Sequence, residues 1–137
     1  MRHDPIDPAV AGCSPLCAAF VMSRPPITIG ARASIDDAMA LMASYRIHYL
    51  PVLGDGGVLV GIVNSDDLRR GRTGNAARVA AVMASPVVSV ESHTPIAEAV
   101  RLMTTHGVGA LPVLETGHVV GILTQSDVVV RVSGKLA

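Results

Sequence analysis

Leu50-Pro-Val-Leu53 recurs later in the chain as Leu111-Pro-Val-Leu114, at an offset of 61 residues. The match extends on the amino-terminal side, because Met22–Leu53 aligns with Met83–Leu114 without a gap. About a third of these aligned positions are identical. A repeat of this length indicates a fold built from two copies of one supersecondary unit.

The carboxyl-terminal part of each unit repeats as well, after one residue is lost in a turn. Gly61-Ile-Val-Asn-Ser-Asp-Asp67 matches Gly121-Ile-Leu-Thr-Gln-Ser-Asp127 at an offset of 60 residues. The repeats predict a first domain at residues 14–71 and a second at residues 76–133, preceded by an N-terminal extension, residues 1–13.

Each unit has the same predicted order of elements, β–α–β–β–α. β-Branched residues predict a short extended segment at residues 27–29 and another at residues 88–90. Apolar residues at helical spacing then predict a helix that begins near Ser34 in the first unit and near Thr94 and Pro95 in the second. Two strands and a closing helix complete each unit. In the first unit the strands are His48–Leu53 and Val58–Val63, and the helix begins at Ser65. In the second unit the strands are Gly109–Leu114 and Val119–Leu123, and the helix begins at Gln125.

The prolines and the size of one unit set the predicted packing. Pro51 and Pro112 fall inside strands, which predicts an edge or a bulge at these positions. One unit of about sixty residues cannot bury both faces of its small sheet. The predicted fold class is therefore α+β (α/β), with two β-α-β-β-α repeats packed sheet to sheet and related by a pseudo-two-fold axis.

The composition limits the partners of the chain. Eleven basic and eleven acidic residues give a formal net charge of zero, whereas non-specific nucleic-acid binding needs a positive surplus. Aromatic residues make up only 2% of the chain, which excludes base stacking on several rings and predicts an aliphatic core. Since no apolar stretch reaches the ~20 residues that span a bilayer, we expect neither nucleic acid nor membrane as a partner.

The sulfur and imidazole side chains show no pattern typical of a metal site. Two cysteines, Cys13 and Cys17, are too few for a disulfide scaffold or a structural zinc. We interpret them as small, buried, reduced thiols, as expected for a cytoplasmic protein. The five histidines lack metal-ligand spacing, so we expect no metal.

The repeated blocks, together with Val21-Met-Ser and Val82-Met-Ala, resemble the tandem cystathionine beta-synthase (CBS) domain pair, also called a Bateman module. The resemblance covers about residues 16–132. It implies a stand-alone regulatory protein, not an enzyme, whose ligands are adenosine-containing: AMP, ADP, ATP or S-adenosylmethionine. It also implies two clefts between the paired repeats, an effector protein as partner and no required cofactor. The aliphatic surface of the helices, which includes Met39 and Val128–Val130, predicts a homodimer.

The family's ending pattern, Gly-h-h-Thr/Ser-x-x-Asp with h apolar, implies the binding residues. Its carboxylate accepts hydrogen bonds from the ribose hydroxyls, and its hydroxyl donates to phosphate at a helix N-terminus. The second unit fits with Thr124 and Asp127, and Ser126 lies in the same block. The first unit keeps Asp67 but has Asn64 at the hydroxyl position. We therefore expect the site of Thr124 and Asp127 to bind first.

The resemblance implies two further contributions to the site. Backbone groups of the extended piece at Pro86, Val87 and Val88 would face the base. His48, three residues before the strand proline, would face the phosphates, with Arg46 as a weaker candidate.

The residues taken by themselves leave alternatives open. Asp67 and Asp127 fit ordinary acids in the first turn of a helix, and Thr124 fits a simple N-cap. The second functional hypothesis is a structural dimerisation module with degenerate, non-binding clefts. An enzyme is the third, but the sequence has no phosphate-binding loop, no dinucleotide fingerprint and no nucleophile–base arrangement at a supporting spacing.

Overall fold

The computed structural model describes the backbone of residues 17–136 and the side chains of residues 17–130. The elements in this range are α1 Ala18–Val21, β1 Ile29–Gly30, α2 Ile35–Tyr45, β2 Tyr49–Leu53, β3 Leu59–Asn64, α3 Ser65–Thr73, β4 Val90–Glu91, α4 Ile96–His106, β5 Ala110–Glu115, β6 His118–Thr124 and α5 Gln125–Leu136. The predicted order β–α–β–β–α is confirmed in both halves. Each half is preceded by a lead segment that contains one short helical turn, α1 in the first and Val79–Ala81 in the second.

The two short first strands lie later in the chain than predicted. Residues 27–29 and 88–90 were expected to be extended strands, but only Ile29–Gly30 and Val90–Glu91 pair with a neighbour. Helix α2 begins after Ser34 as predicted, whereas α4 has Pro95 as its N-cap. The Thr94 hydroxyl instead accepts a hydrogen bond from the Glu91 amide at 3.1 Å.

The strands form two three-stranded sheets with the same topology. In one, β2 is central, parallel to β1 and antiparallel to β3; in the other, β5 is central, parallel to β4 and antiparallel to β6. Thr116 and Gly117 both have positive φ in the turn between β5 and β6, as a two-residue hairpin of type I′ requires. Strands β5 and β6 are thus joined by a tight two-residue turn.

Pro51 and Pro112 lie in the part of each central strand that does not pair with the first strand. Pro51 pairs with Ile62 on the antiparallel side, whereas β1 contacts β2 only from Val52 onward. Pro112 is placed in the same way in β5. A register shift follows directly after Val52 and after Val113. The prediction of an edge or a bulge at these prolines is therefore confirmed, because a residue without an N–H loses no ladder bond there.

The chain divides into two compact units that do not follow the order of the repeats. Unit 2 is continuous, Ile27–Val87, whereas unit 1 joins the described residues before Ile27 to those after Val87. The lead segment of the first repeat thus lies in the unit of the second repeat. In unit 1, Ser23 and Ile122 exchange two backbone hydrogen bonds of 2.8 and 3.1 Å. In unit 2, Ala84 and Ile62 exchange the equivalent pair, of 2.8 and 3.1 Å.

Each unit buries its own aliphatic core. The core of unit 1 includes Leu111, Val113 and Leu123, and that of unit 2 includes Leu50, Val52 and Val63. The methionine of each lead segment joins the core beside it, Met22 in unit 1 and Met83 at the border of the core in unit 2. Alanine, valine, isoleucine, leucine and methionine make up both clusters, as the composition predicts.

The expected role of the cysteines is wrong for Cys17. This residue is buried, but it is disulfide-bonded and not a reduced thiol. It is the N-cap of α1 and has an extended backbone. Cys13 lies outside the described residues. The cysteines therefore give no support to the expected cytoplasmic location.

In the described part of the chain, every helix is too short or too polar to cross a bilayer.

Candidate functional site

Thr124 and Asp127 form a reciprocal cap at the start of α5. The Asp127 amide donates to the Thr124 hydroxyl at 3.1 Å, and the Thr124 amide donates to Oδ2 of Asp127 at 3.1 Å. This arrangement is the capping box of a Thr-x-x-Asp sequence, which satisfies two amides that the helix leaves unpaired. The Thr124 hydroxyl only accepts in this cap, so its own proton remains available for donation.

Ser23 of the lead segment contacts the same carboxylate in unit 1. Its hydroxyl donates to Oδ1 of Asp127 at 2.9 Å, across 104 residues of sequence. A carboxylate has about four acceptor positions. The cap and Ser23 use two of them, so Asp127 keeps two for a further donor.

Asn64 and Asp67 form the equivalent cap of α3 in unit 2. The Asp67 amide donates to Oδ1 of Asn64 at 2.7 Å, and the Asn64 amide donates to Oδ2 of Asp67 at 3.1 Å. Asparagine therefore performs the same capping role as the threonine of the other repeat. The departure from the family pattern at Asn64 leaves the local backbone geometry intact.

Arg70 distinguishes the two carboxylates. Nη2 of Arg70 donates to Oδ1 of Asp67 at 2.5 Å, and the side chain of Asp67 is 17% exposed. The residue that aligns with Arg70 is Val130, and the residue that aligns with Ser23 is Ala84. Asp67 is thus paired with a cation, whereas Asp127 is paired with a neutral hydroxyl.

His48 lies at a basic pocket of unit 2. It is exposed just before β2, and its Nδ1 is 3.5 Å from the hydroxyl of Ser65, the first residue of α3. The pocket has a volume of about 380 Å³ and is also lined by Arg46 and Arg69. Arg69 is paired with the Asp66 carboxylate. His48 and Arg46, which sequence reasoning assigned to phosphate, therefore line the same pocket.

The other predicted site residues do not take part in either cap. Ser126 is exposed in the first turn of α5. Pro86 is exposed and follows a cis peptide bond, and Val87 is half-buried; both belong to unit 2. Val88 is half-buried in unit 1 and packs on its core. The structure thus brings together Thr124 with Asp127, and Asn64 with Asp67, in separate units.

Two residues at the caps were missed by sequence reasoning. Arg70 is absent from the predicted site, although its spacing of three residues from Asp67 is typical of a helical ion pair. Ser23 carries no local signal for its contact with Asp127, since the two residues are 104 positions apart. Only the repeated blocks Met-Ser and Met-Ala at residues 22–23 and 83–84 mark the position.

Within the described residues, no group of three histidine, cysteine, aspartate or glutamate side chains could hold a metal ion.

The repeats correspond to a known domain. The family model described as "CBS domain" matches the chain twice, at residues 18–74 and 79–134. The chain belongs to the CBS domain family. The CBS assignment agrees with the predicted resemblance, and the structure has the mixed α+β fold expected for a CBS domain pair.

Solved CBS domain pairs share this fold. The CBS domain pair of protein MJ0100, solved with 5′-methylthioadenosine and S-adenosyl-L-methionine, superposes with a TM-score of 0.81 at 28% identity over 87% of this chain and 97% of that chain. CBSX2, solved with AMP, superposes with a TM-score of 0.74 at 26% identity over 88% of this chain and 97% of that chain.

Curated relatives include enzymes with a CBS region. Homoserine O-acetyltransferase of Methanocorpusculum labreanum is 33% identical over 112 residues, which are 81% of this chain and 23% of the enzyme. The chain thus spans about a quarter of the length of this relative.

Proposed function

We propose that the chain is a regulatory module that binds an adenosine-containing ligand at the cap of Thr124 and Asp127. The observation that carries the proposal is the carboxylate of Asp127, which keeps two acceptor positions after the cap and Ser23 are satisfied. The 2′- and 3′-hydroxyls of a ribose are two neighbouring donors. Hydrogen bonds to a charged acceptor are stronger than those between neutral groups.

The start of α5 also favours an anionic part of such a ligand. The Thr124 hydroxyl accepts from the Asp127 amide, so its proton is available to a phosphate oxygen. Helix α5 has 12 residues, and the positive end of its dipole lies at this cap. We extend the proposal to AMP, ADP, ATP and S-adenosylmethionine, with Ser126 and Val88 of unit 1 as further contacts.

The similar structures support the ligand class. The CBS domain pair of MJ0100 was solved with 5′-methylthioadenosine and S-adenosyl-L-methionine, and CBSX2 was solved with AMP. These three molecules share an adenosine group and differ at the 5′ position. A carboxylate that binds the ribose suits all three, so the 5′ substituent must be distinguished by other residues.

His48 of unit 2 is our candidate for a phosphate contact. It lines a basic pocket with Arg46, and imidazole binds phosphate when it is protonated. We propose that His48 contributes to ligands that carry a 5′-phosphate. A ligand without phosphate would gain nothing from it.

The regulatory output belongs to the same proposal. A ligand changes a partner only through its differential affinity for two states of the module. We propose an effector protein as that partner, a homodimer as the assembled form, no required cofactor, no catalytic activity and a cytoplasmic location. The repeat boundaries 14–71 and 76–133 remain our proposal for the duplicated sequence.

A calorimetric titration with AMP, ADP, ATP, S-adenosylmethionine and 5′-methylthioadenosine tests the proposal. Asp127→Asn should weaken ribose binding by about tenfold or more, because the charged acceptor is lost while an amide oxygen can still cap the helix. Asp67→Asn is the matched control, since it alters the same cap in unit 2, and it should leave the affinity unchanged. Equal effects of the two variants would contradict the proposed site.

The second candidate function is a structural dimerisation module without a ligand. The pairing of Asp67 with Arg70 favours it, because the charge of one of the two carboxylates is already balanced by a guanidinium. A ligand at 100 times its Kd stabilises the folded state by about 2.7 kcal/mol. The absence of any thermal stabilisation by the five probes, in a protein that sediments as a dimer, would favour this candidate.

A further inference from the structure

We infer that Ser23 and Arg70 determine which of the two capping carboxylates binds the ribose, so that the chain takes one ligand, at Asp127. The inference rests on the proposed function. It concerns the residue paired with each carboxylate and not the cap itself, since Asn64 and Thr124 form equivalent caps.

Arg70 forms an ion pair with Asp67, which lies three residues earlier in the same helix. The guanidinium is 2.5 Å from Oδ1 of Asp67, and both residues line one pocket of about 310 Å³. A ribose hydroxyl at Oδ1 would have to displace the guanidinium, which replaces an ion pair by a hydrogen bond from an uncharged donor. Asp67 is therefore a poor ribose acceptor as long as Arg70 is present.

Ser23 holds Asp127 without neutralising it. Its hydroxyl donates to Oδ1 at 2.9 Å and fixes the second carboxylate oxygen, while the cap fixes the first. Among the side chains that the structure describes, no cation pairs with Asp127, so its negative charge remains for a ligand. Ser23 also lines a pocket of about 410 Å³ together with Phe20 and Arg24. Ser23 is thus a positioning residue for Asp127.

The repeat allows these roles to be exchanged by substitution. Arg70 aligns with Val130, which is 67% exposed on α5, and Ser23 aligns with Ala84, which is exposed in unit 2. Val130→Arg places a guanidinium three residues after Asp127, the spacing at which Arg70 pairs with Asp67. Arg70→Val with Ala84→Ser gives unit 2 the arrangement of unit 1.

The experiment is a calorimetric titration with 5′-methylthioadenosine, which has a ribose but no phosphate that could be attracted by an added arginine. We expect one equivalent bound per chain in the parent protein and at least tenfold weaker binding in Val130→Arg. Val129→Arg is the matched control, because the residue three positions before it is Ser126 and offers no carboxylate. It should bind as the parent does.

The converse experiment creates a second binding site, at Asp67. Arg70→Val/Ala84→Ser should bind a second equivalent, and adding Asp67→Asn should remove it. Arg69→Val/Ala84→Ser should stay at one equivalent, since Arg69 pairs with Asp66. For the positioning role, Ser23→Ala should weaken binding several-fold, and Ser23→Thr, which keeps the hydroxyl, should restore it.

The outcomes separate this inference from the proposed function. Two equivalents in the parent, unchanged affinity in Val130→Arg, or one equivalent in the Arg70→Val/Ala84→Ser protein would overturn the inference and leave the proposed function standing. A parent protein that binds none of the adenosine probes would overturn the proposed function, and the inference with it.

Discussion

The carboxylate of Asp127 has two roles at the residue scale. One oxygen caps α5, and the other accepts a hydrogen bond from Ser23. Removal of the whole side chain would therefore remove a helix cap as well as a ligand acceptor. Asparagine separates the two roles, because it keeps a capping oxygen and loses the charge.

Gly121 gives the clearest prediction about stability. A Cβ at this position would lie 2.5 Å from Sδ of Met22 and 2.9 Å from the backbone oxygen of Ser23. The thioether can move, but the backbone oxygen is held by the hydrogen bond to Ile122. Gly121→Ala should therefore lower the free energy of unfolding by about 1–3 kcal/mol, measured by urea denaturation.

The matched control for this prediction is Gly30→Ala. A Cβ at Gly30 has no atom within 4 Å, and its backbone is not in the left-handed region. The change in stability at Gly30 should be small. A loss at Gly30 as large as that at Gly121 would show that the close approach of the lead segment is not the cause.

The sequence predicts the local part of the site and misses the distant part. Thr124 and Asp127 are three residues apart, so a motif contains the whole geometry of their cap. Arg70 follows the same local rule, and its spacing from Asp67 could have identified the ion pair. Ser23 reaches Asp127 only through the fold, because the backbone bonds of the lead segment to β6 place it there.

At the scale of the element, α2 and α4 have equal lengths but different caps. The Ser34 hydroxyl accepts from the Asp37 amide at 3.0 Å, whereas Pro95 offers no side-chain cap to α4. Ser34→Ala should lower the free energy of unfolding by about 1 kcal/mol, as is typical for a lost N-cap. Thermal denaturation followed by circular dichroism measures this.

Ser44→Ala is the control for the cap. Ser44 is exposed in the last turn of α2, and alanine is the best helix former there. Ser44→Ala should leave the stability unchanged or raise it slightly. A similar loss in both variants would mean that the hydroxyl of Ser34 contributes nothing specific.

The bounds of β1 show why β propensity alone does not predict where a strand begins and ends. Ile27, Thr28 and Ile29 all favour β structure, but only Ile29 and Gly30 pair with β2. Pairing is limited by the neighbour, since Pro51 has no N–H to offer on that side. The order of elements follows from the sequence, whereas the exact extent of pairing depends on the partner strand.

At the scale of the whole molecule, the sequence reveals the duplication but not the division into compact units. The alignment groups Met22 with the first repeat, yet Met22 packs in the core of unit 1 with the second repeat. Alignment detects similarity between segments and carries no information about which copy a segment contacts. The lead segments could therefore not be assigned before the structure was known.

Two fragments of nearly equal length test this division. Residues 27–87 contain all of unit 2, including Val79 and Met83, whereas residues 14–71 follow the predicted repeat and lack both. We expect the 27–87 fragment to unfold cooperatively in urea and the 14–71 fragment to lack a cooperative transition. Equal behaviour of the two fragments would contradict the assignment of the second lead segment to unit 2.

Unit 1 is made of two segments that are separate in the chain, and this has a consequence for synthesis on the ribosome. Residues 27–87 form a continuous unit, so all of its parts have been made once Val87 has left the exit tunnel. The segment with Met22 and Ser23 is made earlier but has to wait for β6, about one hundred residues later in the chain. Since domains generally fold as units during translation, the nascent chain completes its middle part before its two ends meet.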